Sequence, residues 1–289
     1  QTRGTRGCYF VNADLTLAAG ASQHWHFVAD IEKDQAQITA LIDAVNTGSV
    51  CTRNIAKDIA KGAQQLQTIM ATCDSEQVTS EPHVTVHHYA NVLFNVLRGG
   101  VFDDHYTVQI GDFARSLRCF DRHMAKRHAD WLAGLPQRLT INELLTATES
   151  CADPQLQRLA QEYLPIRFGL RHGDPSRPWN QFAIELSDDA GKRTLAYQGN
   201  WRDIFQNWEA LAFSYPEFIE NMIAKFVNAS TMDGFNPYRI TDEGIDWEVE
   251  EPDDPWSYIG YWGDHQIIYL QKLLEMSEKF HPLRHLEQL

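Results

Sequence analysis

The spacing of apolar residues along the chain predicts a short β region followed by many helices. Residues 8–17 and 23–29 are rich in strand-forming side chains and flank the turn-like stretch AAGAS, a pattern typical of two strands. Further along, apolar positions recur every three or four residues, as they do on one face of a helix. The helices predicted in this way cover residues 38–45, 55–70, 83–97, 113–131, 141–147, 154–163, 201–215, 216–229 and 265–279.

Two stretches between these helices are predicted to be loops. Residues 165–180 are rich in Pro, Gly and Arg, and residues 232–264 show little regular apolar spacing. Loops as long as the second one usually carry function when they are ordered, and its many aromatic rings favour that interpretation. Together the patterns predict a mainly α protein with a small β part, in which strands and helices form separate layers or domains.

Composition narrows the classes of function. The chain has 289 residues, of which 43% are hydrophobic, enough for one large domain or two ordinary ones. Its net charge of −14 argues against a nucleic-acid partner, which requires a basic face, and against an anionic membrane surface. The five cysteines have no C-x-x-C spacing, so we expect free thiols in a reducing compartment and a cytoplasmic protein.

The histidines do not show the spacing of metal ligands. The chain has 12 of them, but neither an H-E-x-x-H motif nor another ligand spacing, so a metal site is not predicted. Likewise no Gly-rich loop precedes a helix in the manner of a P-loop. We therefore predict no cofactor, although inorganic phosphate is considered below as a co-substrate.

An Arg–Asp pair lies between tryptophans in the stretch GNWRDIFQNWEAL, at the start of a predicted helix. Sugar recognition needs such a combination, because hydroxyls bind to directional polar groups while the C–H face of the ring packs on an aromatic side chain. In this interpretation Trp201 supplies the apolar face, and Arg202 and Asp203 supply the polar groups. The alternative is structural: Asn200 caps the helix, Trp201 belongs to the core, and the Arg–Asp pair is a local ion pair.

A second cluster of carboxylates and aromatic rings lies in the stretch DWEVEEPDDPWSYIGYWGDHQ. Most of its acidic residues fit a solvated charged run, but Asp264 lies between Trp262 and His265 and begins an apolar helix. Its carboxylate is either a helix cap or a ligand in a pocket. Paired carboxylates among aromatic rings are also the apparatus of glycoside cleavage, and Asp203 and Asp264 would converge if their helices are neighbours.

A third candidate is Arg98 in the stretch NVLRGGVF. The paired glycines allow a close approach of the backbone, which would place the arginine side chain to bind an anion or a sugar. The alternative is that the glycines simply end the helix, since glycine is the common residue just past a helix C-terminus.

Two of these stretches resemble motifs of a known enzyme family. NWRDIFQNWEALAFSYPEFIENMIAKFVNASTMDGFNPY resembles the R-D-x-x-Q-D region of cellobiose- and chitobiose-type phosphorylases, and GYWGDHQIIYLQKLLEMS resembles a later helix start in the same enzymes. The chain as a whole is similar to large bacterial cellobiose-phosphorylase-like proteins of the six-hairpin glycosidase superfamily. The resemblance implies that Arg202 and Asp203 bind hydroxyls of the sugar whose bond is broken, and that Asp264 lines the same subsite. With the patterns above, the predicted substrate-binding residues are Arg98, Trp201, Arg202, Asp203, Asn207, Trp262, Asp264 and His265.

The same resemblance implies a domain order of β-sandwich, helical linker and (α/α)6 barrel. On this chain the order predicts the end of a β-sandwich over residues 1–30, a helical linker over 31–82 and the N-terminal part of the barrel over 83–289. A full barrel needs more helices than the sequence predicts in the last of these ranges. We therefore expect the chain to be a segment of a larger protein, with the remainder of that protein as its partner.

Two departures from the family pattern bear on activity. The last residue of the R-D-x-x-Q-D motif is Asn207 here, so that an expected carboxylate is an amide. The D-W-N-D motif that carries the general acid does not occur in the sequence. We therefore expect the general acid to lie outside this chain, and the chain alone to be inactive.

Two classes of function follow from the resemblance. In the first, the parent protein cleaves a glycosidic bond of a disaccharide or oligosaccharide with inversion, with phosphate or water as the nucleophile. If phosphate is used, Arg202, Arg98 and His265 are its candidate ligands. In the second, the protein is a non-catalytic carbohydrate-binding or scaffolding protein that retains the sugar cleft.

Overall fold

The computed structural model describes residues 10–29, 33–49, 52–73, 75–167, 169–170, 195–247, 252–253 and 263–284. Within these ranges the chain is mainly helical with short strands, which confirms the predicted fold class of a mainly α protein with a small β part. The helices are α1 (Gln35–Asn46), α2 (Thr52–Ala71), α3 (Pro82–Gly99), α4 (Ile110–Phe120), α5 (Arg122–Arg127), α6 (Ala129–Gly134), α7 (Ile141–Glu149), α8 (Pro154–Gln161), α9 (Trp201–Ser214), α10 (Ile219–Ala229) and α11 (Gly263–Phe280), with a 3-10 turn at Pro216–Phe218.

The strands are short and form three small sheets. They are β1 (Val101–Phe102), β2 (Thr107–Gln109), β3 (Arg138–Thr140), β4 (Ile166–Arg167), β5 (Gly169–Leu170), β6 (Tyr197–Asn200), β7 (Arg239–Thr241) and β8 (Ile245–Asp246). β1 pairs with β4 and β2 with β3, both antiparallel. The other strands lie in the order β5-β6-β7-β8, with only the β5–β6 pair parallel. β7 and β8 fall within residues 232–264, so the prediction of one continuous loop there is wrong.

The two strands predicted near the N-terminus are not formed. Residues 10–29 contain no strand, and large apolar side chains there are exposed, Phe10 by 87% and Phe27 by 80%. A strand is stable only when its backbone is paired and one of its faces is covered, and the described part of the chain provides neither for these residues. The strand prediction is therefore wrong for residues 10–29, while the predicted domain limits stay predictions.

The single helical stripe predicted over residues 113–131 is divided into α4, α5 and α6. The first break occurs at Asp121, whose carboxylate accepts hydrogen bonds from the backbone N–H groups of His123 (2.9 Å) and Met124 (3.0 Å). An aspartate at this place satisfies N–H groups that have no partner within the helix, so it favours a new helix start. Asp153 caps α8 in the same way.

The described residues form two compact units, residues 1–65 and 66–289. All the buried apolar side chains of the described residues belong to the second unit. Its largest fully buried side chains include Trp201, Trp208, Phe102, Phe113 and Phe205. Every predicted site residue that the structure describes also belongs to this unit.

Helices α9, α10 and α11 alternate in direction. Phe226 near the end of α10 contacts Trp201 at the start of α9, with ring centroids 5.2 Å apart, so α9 and α10 are antiparallel. Glu220 at the start of α10 accepts a hydrogen bond from Ser277 Oγ near the end of α11 (2.6 Å), so α10 and α11 are antiparallel as well. It follows that α9 and α11 run in the same direction.

Direct contacts between α9 and α11 agree with this arrangement. Lys272 Nζ of α11 lies 2.9 Å from Glu209 Oε2 of α9. Further along both helices the rings of Phe280 and Phe213 are in contact, with centroids 6.3 Å apart. Because both pairs advance together along the two helices, α9 and α11 are neighbours with a parallel orientation.

Helix α3 packs against α9 at a glycine. A Cβ atom added to Gly99 would lie 3.0 Å from Asn207 Cβ and 3.2 Å from Trp208 Cδ1. The carbonyl oxygen of Gly99 accepts a hydrogen bond from Trp208 Nε1 (3.0 Å). Gly100 then ends the helix with a φ of 79°, a left-handed conformation that glycine adopts readily. The close contact of the two helices thus depends on the missing side chain at position 99.

Candidate functional site

Trp201, the residue predicted to offer a ring face to a sugar, is buried in the core. Its side chain is 0% exposed, and its ring contacts those of Phe205 (centroids 4.7 Å apart) and Phe226 (5.2 Å). The indole Nε1 and the neighbouring Asn200 Oδ1 are buried and have no hydrogen-bond partner in the part of the chain that the structure describes. Trp201 therefore packs as a core residue, and the polar edge of its ring is the part that lacks a partner.

Arg202 and Asp203 form a local ion pair in the first turn of α9. Arg202 Nε lies 3.3 Å from Asp203 Oδ1, and the two side chains are 42% and 19% exposed. Ion pairs near the surface contribute about 0–1 kcal/mol to stability, so this pair does little to hold the fold together. It does orient the guanidinium, whose remaining N–H groups bond to no other described residue.

Asn207 lies one turn further along α9 and faces the interior. Its side chain is buried, and its Nδ2 donates a hydrogen bond to the backbone oxygen of Asp203. On the other side it packs against Gly99 of α3. A carboxylate here would face a carbonyl oxygen without a proton to donate, so the amide suits this position in the fold.

Arg98 lies at the end of α3, next to the glycine that contacts α9. Its Cζ atom lies 4.1 Å from the centroid of the Phe94 ring, a cation–π contact within one helix. The helix ends at Gly100, as in the alternative in which the paired glycines serve as a C-terminal cap. The fold therefore brings the end of α3 to α9, while binding of a ligand by Arg98 stays a prediction.

The remaining predicted residues are Trp262, Asp264 and His265. Trp262 lies outside the described residues. Asp264 and His265 lie in the first turn of α11, and their side chains are outside the described part of the chain. Their role as substrate ligands stays a prediction.

The two helices whose first turns carry the predicted carboxylates run in the same direction and are in contact. Lys272 and Glu209 are in contact across α11 and α9. Eight residues before Lys272 is Asp264, and eight residues before Glu209 is Trp201. Because the helices are parallel, both N-terminal turns lie towards the same end of the second unit, while convergence of Asp203 and Asp264 stays a prediction.

Sequence analysis did not predict a buried charged cluster around Lys225 of α10. This side chain is 5% exposed, and burial lowers its pKa to about 8, against the opposing effect of Glu162 and Asp242. The Nζ atom lies 4.8 Å from the centroid of the Phe120 ring and 5.8 Å from that of Tyr197. The one signal in the sequence is a lysine within the apolar stripe of a helix, a place that lysine rarely occupies.

Arg115 joins three segments of the chain at the same place. Its guanidinium contacts Asp112 on α4 (2.9 Å), Asp242 after β7 (2.9 Å) and the backbone oxygen of Leu195 (3.2 Å). Asp112 also accepts a hydrogen bond from the Tyr163 hydroxyl (2.5 Å). Burial raises the pKa of Tyr163 well above its usual value, and the carboxylate adds to the effect, so the phenol stays protonated and donates. The cluster thus fastens α4, the end of α8 and the β7–β8 turn together.

The described residues offer little for other kinds of chemistry. Among them, no group of three or more His, Cys, Asp and Glu side chains is arranged to hold a metal ion. The helices of the described ranges include none that is both long and apolar enough to cross a membrane. Cys73 is buried, and burial raises the pKa of its thiol to about 11, which disfavours the reactive thiolate.

Comparison with known proteins points to carbohydrate chemistry. Residues 102–165 match a family model described as Glycoside hydrolase family 149 insertion domain 1. The matched segment extends from β1 to just past α8 and includes Asp112, Arg115 and Tyr163 of the buried cluster. A comparison with curated proteins found no match. Residues 102–165 are thus similar to an insertion domain of a glycoside hydrolase family, and this similarity supports a glycosidase-like protein.

Proposed function

We propose that this chain is part of a carbohydrate-active enzyme that cleaves a glycosidic bond with inversion, with phosphate or water as the nucleophile. The match of residues 102–165 to an insertion domain of a glycoside hydrolase family carries the proposal. In an inverting enzyme one carboxylic acid protonates the leaving oxygen while a nucleophile attacks from the opposite face of the sugar. We place that acid outside this chain, so the chain binds and orients substrate for a centre completed by the rest of the enzyme.

The directions of the last three helices support the proposed (α/α)6 barrel. A barrel built of helical hairpins requires every second helix to run in the same direction. Helices α9 and α11 are parallel neighbours, and α10 returns between them in the opposite direction. This is the arrangement expected of two successive inner helices and the outer helix that connects them.

The proposed sugar subsite lies where α9 and α11 begin. The guanidinium of Arg202 and the carboxylate of Asp203 would hydrogen-bond sugar hydroxyls, with Asp264 and His265 contributing from α11. The ring of Trp201 would then support the subsite from the core side instead of stacking on the sugar.

The Arg202–Asp203 pair favours catalysis by being oriented before the substrate binds. A hydrogen bond to a charged group contributes about 1.5–3 kcal/mol. Hydrogen bonds that the Asp203 carboxylate accepts from sugar hydroxyls would strengthen as positive charge develops on the sugar ring, and only interactions stronger in the transition state raise the rate. For a phosphate nucleophile, Arg202, Arg98 and His265 are the proposed ligands, since arginine pairs with phosphate through two parallel hydrogen bonds.

Replacing Arg202 by alanine in the whole parent enzyme tests the subsite. Loss of one charge-assisted hydrogen bond to the sugar should lower kcat/KM by about tenfold or more. Stability should change by less than about 0.5 kcal/mol, because the pair is partly exposed. Arg118→Ala on α4 is the matched control, since this arginine is exposed and should leave kcat/KM unchanged. Equal kinetics for the two variants would exclude Arg202 from the subsite.

A carbohydrate-binding protein without activity is the second candidate function. The observation that favours it is Asn207, an amide where the resembled family has a carboxylate, bonded to the backbone of α9. Proton NMR of the parent protein with disaccharides, with and without phosphate, separates the two candidates. Release of a product with inverted anomeric configuration supports the enzyme, whereas binding without turnover supports the second candidate. If the protein neither binds nor turns over any member of a panel of glucosides, both candidate functions are contradicted.

A further inference from the structure

Lys225 lies at the contact between the segment matched by the insertion-domain model and the rest of the second unit. On the same helix, Asn221 Nδ2 donates a hydrogen bond to the backbone oxygen of Tyr163 (3.2 Å). One turn beyond Lys225, Asn228 Nδ2 donates to Glu162 Oε1 (2.9 Å). We call this contact of α10 with α4 and the end of α8 the α10 joint. Lys225 is thus enclosed between two hydrogen bonds that fasten the joint.

The side chain of Lys225 is 5% exposed, and its ammonium group is not hydrogen-bonded to any described residue. Its Nζ has no hydrogen-bond partner among the described residues, and its nearest neighbours include the rings of Phe120 (4.8 Å) and Tyr197 (5.8 Å). Two cavities of about 10 Å³ adjoin it, each with room for about one water molecule. A buried charge is costly unless it is paired and hydrogen-bonded, so the charged form of Lys225 destabilises the closed joint.

The charged groups around Lys225 are largely engaged with one another. Glu162 is paired with Arg158, and Asp242 with Arg115 (2.9 Å), so that neither carboxylate bonds the ammonium. Burial raises the pKa of both nearby tyrosines well above the usual value, so they stay neutral. The titratable groups that face Lys225 are Asp112 and Arg115 from α4, Arg158 and Glu162 from α8, Tyr163 after α8, Tyr197 from β6 and Asp242 after β7.

We propose that the α10 joint is a proton-sensitive latch: protonation of Lys225 weakens the contact between the matched segment and α10, and loss of that proton tightens it. Opening of the joint hydrates the ammonium and removes its desolvation cost, whereas a neutral amine has little to gain from opening. The latch does not depend on the sugar subsite, because the α10 joint includes none of the predicted substrate ligands.

The pH range of the latch follows from the two states of the amine. Burial lowers the pKa of Lys225 in the closed joint to about 8, whereas a lysine in water has a pKa of about 10.4. Between these values the opened joint binds more protons than the closed one. Stability of the closed joint therefore rises with pH from about 8 to about 10, and it is lowest and nearly constant below about 8.

Hydrogen exchange of the backbone amides in α4 and α8 tests the latch in the full chain. After correction for the intrinsic pH dependence of exchange, protection in the wild-type protein should rise on the order of 30-fold between about pH 6.5 and about pH 9.5. Lys225→Met should lose this rise and be more protected at the lower pH. Lys272→Met is the matched control, because this lysine is on the surface of α11 with Glu209 and should keep the wild-type rise.

Two results would overturn the latch. The first is wild-type protection that does not change with pH, and the second is the same pH dependence in Lys225→Met as in the wild type. If Lys225→Met does not fold, Asp242→Asn replaces it: loss of a neighbouring carboxylate should move the rise in protection to lower pH. If protection in Asp242→Asn rises over the same pH range as in the wild type, that result would also contradict the latch.

Discussion

The contact between α3 and α9 leads to a prediction about Gly99→Ala. The added Cβ atom would lie 3.0 Å from Asn207 Cβ and 3.2 Å from Trp208 Cδ1, closer than most Cβ contacts in proteins. Separating the helices to relieve this would lengthen the 3.0 Å bond from Trp208 Nε1 to the Gly99 oxygen. Overpacking of this kind costs about 1–3 kcal/mol, and alanine returns roughly 0.5–1 kcal/mol by restricting the unfolded chain. We expect a net loss of about 1–2 kcal/mol.

Urea unfolding followed by circular dichroism measures this loss, and Tm should fall by about 2–4 °C for every 1 kcal/mol in a unit of this size. Gly111→Ala is the matched control, since it is also helical but a Cβ atom there meets no atom within 4 Å. It should be neutral or slightly stabilising. The reasoning fails if Gly99→Ala is as stable as the wild type, or if Gly111→Ala is destabilised to the same extent.

The remaining predictions concern one buried amide and one helix cap. Asn207→Asp should lose about 1–3 kcal/mol at neutral pH, because the new carboxylate would face the Asp203 carbonyl oxygen; urea unfolding at neutral and acidic pH should show the loss shrinking when the acid is protonated. Asn95 also donates its amide to a backbone oxygen, but in an exposed place. Asn95→Asp should therefore lose less free energy of unfolding, and an equal loss would contradict the role of burial. Asp153 has its pKa lowered to about 2, first by the hydrogen bond with His128, so its contribution is present above about pH 4 and lost as pH falls towards 2. Asp153→Asn should therefore show a weaker fall in urea midpoint over this range than the wild type, and parallel curves would contradict the prediction.

The sequence predicts the helices well where apolar spacing and capping residues act locally. The helix α9 extends from Trp201 to Ser214, close to the predicted span, with Asn200 at the N-cap position, although the Asn200 side chain does not form the predicted capping hydrogen bond. The division of residues 113–131 into three helices was less accessible, because Asp121 both ends one helix and caps the next. The spacing of apolar residues continues across such a break and does not reveal it. The position of the capping residue decides the direction in which each new helix starts.

Features that depend on distant partners are not readable from local patterns. β7 forms by pairing with β6, with Ile240 opposite Gly199. Neither stretch of sequence indicates that the other is its pairing partner. The buried cluster around Lys225 likewise requires Arg115 and Asp242 to meet through the fold. For the sugar subsite, local sequence placed Trp201 at a helix start, but only packing with Phe226 shows that its ring belongs to the core.

The parallel orientation of α9 and α11 also shapes the electric field at one end of the second unit. Each helix carries roughly half a positive charge at its N-terminus, produced by aligned peptide dipoles. The dipoles of α9 and α11 point in the same direction and add, while that of α10 points the opposite way. This contribution opposes the chain's net charge of −14 and favours an anionic group in these first turns, such as the carboxylate of Asp203. Since the backbone produces this field, it would persist even in a variant that lacks the Arg202 side chain.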